Sequence, residues 1–228
     1  MTTATLPATF LRRFKRMRRR RKVARAYDMA LEISRVLPKH AAVLDVGCGN
    51  GFIAHHLTGL LGAEVVGIDV GTKTTARINY LSYDGCHFPL QDQSFDAVLL
   101  CYVLHHAQDA VLLLNEVARV LRSGGLAIIY EDIPSAWWDR AVCWVHSRQW
   151  RNQTGPCSFQ LDKDWRRVFA SAGFEILRER ALSRWRNLAH PVSRRFYLVR
   201  LSDFRKFPRR SHPEQMTVSI QTKVPVSA

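Results

Sequence analysis

The sequence predicts an α/β fold, a doubly wound and mostly parallel sheet of seven strands with helices on both faces, and three observations carry that prediction. Short apolar runs of strand length alternate with helical segments from residue 42 to residue 201. The first run, Val43 to Val46, leads straight into a loop where Gly47, Gly49 and Gly51 alternate with Cys48 and Asn50. The second run ends in an acid, Asp69, eighteen residues after Gly51. Strands alternating with helices mark a parallel sheet. A glycine loop after its first strand lets backbone approach a ligand at the carboxyl ends of the strands.

The elements follow in order. Met29, Ile33, Val36 and Leu37 recur at helical spacing and stop at Pro38, which predicts an amphipathic helix before the first strand. After the glycine loop come a helix over 52–61, a strand over 65–69, a helix near 74–80 and a short strand around 81–83. The buried run 95–101, a helix over 110–121, a Ser123-Gly124-Gly125 turn and a strand over 126–130 complete five strands. Trp137, Trp138, Trp144 and Trp150 fall in a predicted helical insertion or lid, 136–160. A helix over 163–172 and strands over 174–182 and 194–201 bring the sheet to seven. The domain is thus expected over 27–205, between a basic arm, 1–26, and a poorly ordered basic tail, 206–228.

The 228 residues suffice to bury a core without metals or disulfides. The five cysteines have no C-x-x-C spacing, so a zinc knuckle and a disulfide framework are both disfavoured and a reducing, cytoplasmic setting is expected. The net charge of +15 is unevenly placed. Residues 1–40 carry twelve Lys/Arg against Asp28 and Glu32, while residues 41–135 carry four against ten acids. The basic potential therefore belongs to the additions around the glycine-loop half and points to a partner or substrate surface. The arginine-rich leader also fits an organellar transit peptide.

The glycine spacing narrows the ligand. Dinucleotide enzymes use G-x-G-x-x-G/A, but Phe52 stands at the third fingerprint position, and no G-K-S/T follows to make a P-loop. Further motifs are Tyr83-Asp84-Gly85-Cys86-His87-Phe88-Pro89-Leu90, Ser94-Phe95-Asp96-Ala97-Val98 and Val120-Leu121-Arg122-Ser123-Gly124-Gly125. Together with Asp45-Val46-Gly47-Cys48-Gly49-Asn50-Gly51 and Asp69, in this order and spacing, the chain resembles the class I S-adenosylmethionine (SAM)-dependent methyltransferases, in the group that includes the ubiquinone and menaquinone enzymes. The resemblance covers roughly residues 27–202, with Ser123 where the group usually has proline.

That resemblance implies a Rossmann-like sheet with its last strand antiparallel, and SAM as cofactor. It implies that Gly47 and Gly49 border the methionine part, that Asp45 helps hold its ammonium region, that Asp69 binds the ribose hydroxyls and that Asp84 faces the adenine amine. Gly51, Val70, Gly85 and Cys101 complete the expected cofactor set. Carboxylates suit these roles because hydroxyls and amines both need acceptors.

Methyl transfer requires chiefly that a nucleophile be held in line with the methyl group away from water, with a base only for a poorly acidic acceptor. Catalytic candidates near the ends of the fourth and fifth strands are His105, His106 and Asp132, with Glu131 beside the last; capping of the next helix is the plainer role for the histidines. No metal is expected, because catechol-type enzymes need an acid where Cys101 stands. The absence of a D/N-P-P-Y/F/W motif after the fourth strand disfavours nucleobase amino-methylation.

The expected acceptor is a small, lipid-like or quinone-like molecule beneath an aromatic lid. Phe10, Leu11, Phe14 and Met17 among the arginines favour docking of residues 10–22 on an anionic membrane surface, giving a peripheral cytoplasmic protein. RNA methylation through the basic arms is the alternative, and a non-catalytic SAM-binding interaction protein the third reading.

Overall fold

A computed structural model describes residues 8–62, 64–186 and 190–202. A long helix α1 (Ala8–Ser34) precedes β1 (Val43–Val46), α2 (Phe52–Leu61), β2 (Val65–Asp69), β3 (Asn79–Ser82) and β4 (Phe95–Cys101). Then follow α3 (Ala110–Val120), β5 (Leu121–Asp132), α4 (Trp137–Thr154), α5 (Asp162–Ser171), β6 (Phe174–Leu182) and β7 (Arg194–Leu201). The sheet runs β3-β2-β1-β4-β5-β7-β6, and β7 alone is reversed, antiparallel to both β5 and β6. This is the Rossmann-like doubly wound sheet expected.

Every residue of β1 is buried, since helices cover both faces of the sheet. Its alternation distributes two cores: Leu44 and Val46 join Leu113, Leu114, Val117, Trp165 and Phe169 on one face, while Val43 joins Ala30, Ile33, Ala54, Leu57 and Leu61 on the other. The chain leaves β1 towards β2 and β3 and then returns to place β4 on β1's other side. The crevice at such a reversal, at the carboxyl ends of the strands, is where open α/β sheets take ligands.

Three elements differ from the sequence reading. No helix forms at 74–80: Ala76 N–H bonds to Asn50 O at 2.9 Å, and Thr75 Oγ1 bonds to Asn50 Oδ1 at 3.0 Å, so the segment straps the glycine loop. Thr74 and Ile78 sit so close over Gly51 that a Cβ there would lie 2.6 and 2.9 Å from them. The following strand accordingly begins at Asn79 rather than Leu81. The Ser123-Gly124-Gly125 turn is an excursion within β5, between Leu121 opposite Phe95 and Leu126 opposite Ala97.

The third difference is α1. The expected boundary after residue 26 falls inside one continuous helix, because Ala26, Ala30 and Ile33 are buried on α2 and the preceding Arg, Lys and Met residues are themselves good helix formers. Arg12, Arg13 and residues 16–22 are exposed along it. The predicted tail, 206–228, and the side chains of Phe10, Leu11 and Phe14 lie outside the described residues. No helix among the described residues is long and apolar enough to cross a membrane.

Candidate active site

A cavity of about 1180 Å³ opens at the reversal point. Gly47, Gly49, Asp69, Val70, Asp84 and Gly85 line one end; Tyr102, His105, His106, Asp132, His146 and Trp150 line the other. Its roof includes Lys22, Arg25 and Met29 from α1. Asp45, Gly51 and Cys101 do not line it. Asp45 is 1% exposed behind the glycine loop, Gly51 shapes the entry to α2 at φ 73°, and the Cys101 thiol is buried and held far above the usual thiol range by that burial and by the charges of Asp45 and Glu131.

The glycine loop is shaped by close approach. Gly47 has φ +64°, and a Cβ on it would meet Val103 Cγ2 at 2.6 Å. Gly49 has φ +54° and nothing within 4 Å of such a Cβ, so it faces open space. Asp69 ties this loop to the end of β2: its Oδ2 accepts from Gly49 N–H at 2.8 Å and its Oδ1 from Gly71 N–H at 3.0 Å. Asp84 Oδ1 accepts the Cys86 and His87 N–H groups, both at 2.7 Å. Those two bonds draw the carboxyl down to about 2, so Asp84 is anionic at neutral pH.

Asp45 behaves oppositely. Burial, reinforced by the nearby Asp69 charge, pushes its carboxyl up from 3.8 to about 7 against a backbone hydrogen bond from Ala54. Its Oδ2 has no hydrogen-bond partner. Lying behind the loop, that oxygen does not face the cavity. The open face at Gly49 and the acceptors Asp69 and Asp84 fit SAM, which carries ribose hydroxyls and an adenine amine.

At the other end a buried carboxylate organises the turn after β4. Glu131 Oε1 accepts from Val103 N–H at 3.1 Å and Leu104 N–H at 2.8 Å, while Oε2 lies 2.6 Å from His105 Nδ1. Burial opposes protonation of His105, but Glu131 outweighs it and raises the imidazole above its ordinary value. His105 Nε2 is buried without a partner. Its ring stacks on Phe159 at 4.5 Å.

His106 Nε2 lies 3.2 Å from His146 Nε2. Burial and the neighbouring histidines lower His106 to about 3 and His146 to about 4. At such values neither is an effective proton acceptor at neutral pH. Asp132 lines the cavity but is paired with Arg194 at 2.9 Å and His190 at 2.8 Å. Burial works against its charge, yet these partners keep it below the ordinary carboxylate value, which suits a fixed anion better than a base.

Tyr102 and His146 line the cavity without having been singled out by the sequence, whereas Trp150 belongs to the expected aromatic lid. Tyr102 has φ +63°, rare for a non-glycine residue and a form of strain that tends to gather at functional sites. His146 and Trp150 stand four apart on α4, on the helix face turned to the cavity, and the sequence signal for them was a histidine inside the tryptophan run. Trp137 and Trp144 are 76% and 60% exposed, so they are surface and not core of the insertion. Arg148 lies over the Trp144 ring at 4.8 Å.

A reversed β7 in a doubly wound sheet, with a glycine loop and acidic strand ends round one crevice, is the architecture shared with solved class I methyltransferases. Residues 44–129 match the methyltransferase domain family. Over those residues the chain therefore carries a methyltransferase domain, which implies SAM as cofactor. Among its relatives, the 27-O-demethylrifamycin SV methyltransferase of Amycolatopsis mediterranei is 34% identical over 105 residues, 40% of this chain and 39% of that one. The demethylmenaquinone methyltransferase of Staphylococcus aureus is 33% identical over 105 residues, 41% of this chain and 44% of that one. The chain thus spans less than half the length of these curated relatives. A SAM-dependent methyltransferase structure from Methanosarcina mazei superimposes with a TM-score of 0.59 at 18% identity, covering 74% of this chain and 95% of the other, a likeness of fold.

Proposed function

We propose that the whole chain transfers a methyl group from SAM to a small, lipid-like or quinone-like acceptor. The observation that carries this reading is one continuous cavity, whose acidic glycine-loop end and histidine-tryptophan end share about 1180 Å³. A site for one small molecule typically encloses roughly 300–1,000 Å³, so this one has room for a donor and an acceptor. The relatives named for rifamycin and menaquinone acceptors support the class of acceptor.

When bound, SAM supplies an activated methyl group on a sulfonium. The chain's residues do the rest by position. Gly49 leaves room beside the loop, and Asp69 and Asp84 offer oxygens to hydroxyl and amine donors. His105, His106, His146 and Trp150 form the acceptor end, with α4 as its lid. Closing such a site excludes water and holds the acceptor in line.

Calorimetry with SAM, followed by methyl transfer from labelled SAM to extracted lipids and quinones, tests the proposal. Saturable SAM binding with no turnover on any acceptor would favour the non-catalytic reading, and no SAM binding at all would sink both.

The basic stretch of α1 and the exposed Trp137 and Trp144 support docking on an anionic membrane. Binding to vesicles of anionic lipid is expected to fall on removal of residues 1–22. Tight tRNA binding with a steep salt dependence, and none to vesicles, would favour RNA methylation instead.

Asp45 gives a second check. Because its folded carboxyl titrates near 7 and not at 3.8, the fold resists its ionisation; the contribution of Asp45 to stability is fully present below pH 4 and is lost as pH rises towards 7. Asp45→Asn is expected to stabilise the apo protein at pH 8 by about 1–3 kcal/mol, with the gain shrinking towards pH 4. Thermal melts across that range would show this; a variant less stable at pH 8 would contradict the account.

A further inference from the structure

The acceptor end holds a constellation that methyl transfer by itself does not require. One ring nitrogen from each of His105, His106 and His146 lies within 4.8 Å of the others. The contact between His106 Nε2 and His146 Nε2 is 3.2 Å. His105 turns its Nδ1 to Glu131 at 2.6 Å, which leaves Nε2 as the nitrogen free to face the group, buried and without a partner. His105 is 1% exposed, so water from outside does not satisfy that atom.

A hydrogen-bonded chain of histidines accounts for part of this. One proton shared between His106 and His146 satisfies those two nitrogens, but it leaves His105 Nε2 bare, and a buried acceptor without a donor is costly. A divalent cation would take all three lone pairs at once. The surroundings favour it further, because a metal-bound histidine almost always gives its second ring nitrogen to a carboxylate or carbonyl, and Glu131 already holds His105 in that way.

We propose that His105, His106 and His146 form a binding site for a divalent transition-metal ion of the zinc class at the acceptor end of the cavity. Three imidazoles suit Zn²⁺, Co²⁺ or Ni²⁺ better than Mg²⁺ or Ca²⁺, which prefer oxygen ligands. Three protein ligands with a fourth position open to a cavity are the arrangement of catalytic zinc sites. His190 is not a ligand, since its Nε2 is engaged by Asp132 at 2.8 Å. Cys157 Sγ faces the opposite nitrogen of His106, Nδ1, at 3.3 Å. The sequence expectation of no metal rested on Cys101, which lies elsewhere and does not bear on this cluster.

The open position faces the space assigned above to the acceptor, so an oxygen-bearing acceptor would complete the coordination there; this part rests on the proposed methyltransferase function. An acceptor hydroxyl bound to the ion gives up its proton to solvent more readily and remains as a metal-bound oxyanion, with no redox change and no bond formed to carbon at that stage. Metal binding itself is independent of that function.

The full chain, stripped with chelator, is titrated with Zn²⁺ by calorimetry and with Co²⁺ by visible absorption. One ion per chain is expected, with the intense Co²⁺ bands of a four-coordinate site. His146→Gln, at a half-buried helix position, should weaken Zn²⁺ binding by roughly 100-fold, while His55→Gln, at an exposed position on α2, should leave it unchanged. Circular dichroism of each variant verifies the fold. Failure to bind Zn²⁺ and Co²⁺ would overturn the proposal, and so would unchanged binding in a folded His146→Gln variant. SAM calorimetry on metal-free protein separates the two readings: SAM binding without metal binding sinks this site alone, whereas metal binding without SAM binding sinks the methyltransferase function alone.

Discussion

Glu131→Ala is expected to cost about 3–5 kcal/mol, the usual penalty for removing one partner of a buried ionic pair. For a domain of this size that corresponds to a fall of about 6–20 °C in melting temperature. The physical reason is the number of groups stranded at once. Val103 N–H, Leu104 N–H and His105 Nδ1 all turn to this one carboxylate, and its side chain is 0% exposed. Glu131→Gln keeps oxygen acceptance for the two backbone groups and should lose less. Denaturant titration of both variants measures the difference; a loss below 1 kcal/mol in the alanine variant would mean that the turn after β4 is held by something else.

Asp69→Ala is expected to reduce SAM affinity by roughly 100-fold, about 2.7 kcal/mol, while leaving the fold intact. The carboxylate stands at the carboxyl end of β2 on the cavity wall, where the proposed cofactor would lie, and fixes the glycine loop through Gly49 N–H. Both effects act on binding. Asp69→Asn retains an acceptor oxygen and should fall between the two. Calorimetry with SAM, alongside a thermal melt, reads the outcome: equal affinity in the alanine variant would remove Asp69 from the cofactor site.

The two predictions draw on different kinds of information. Asp69 was legible because it ends a strand at a fixed distance from a glycine loop, and strand ends and glycine spacing are local properties of the chain. Glu131 was visible as an acid after the fifth strand, but its role was not. What it does depends on β5 lying beside β4, which brings it under residues 103–105. Periodicity cannot report which strands become neighbours.

The helix expected at 74–80 shows the same limit from the other side. Thr74 to Tyr80 has no strong contrary signal of its own, and the Ala76 N–H and the Thr75 hydroxyl are instead taken by Asn50. That competition exists only once the glycine loop is folded. In α1, conversely, local propensity prevailed over charge repulsion: the arginine run continues a helix already anchored on α2 by Ala26, Ala30 and Ile33.

The sequence by itself determined the strands, the glycine loop and its acidic companions, because burial on two faces imposes apolar runs and a close ligand approach imposes glycine. Tertiary structure alone decided the histidine end of the cavity. His105 and His106 come from the turn after β4 and His146 from the middle of α4, and Glu131 reaches the first of them from β5. His105 and His106 were legible as candidates after the fourth strand, but nothing local shows that Glu131 and His146 join them. Their chemistry arises from convergence in a buried place, where an imidazole nitrogen left without a hydrogen-bond donor becomes a ligand site.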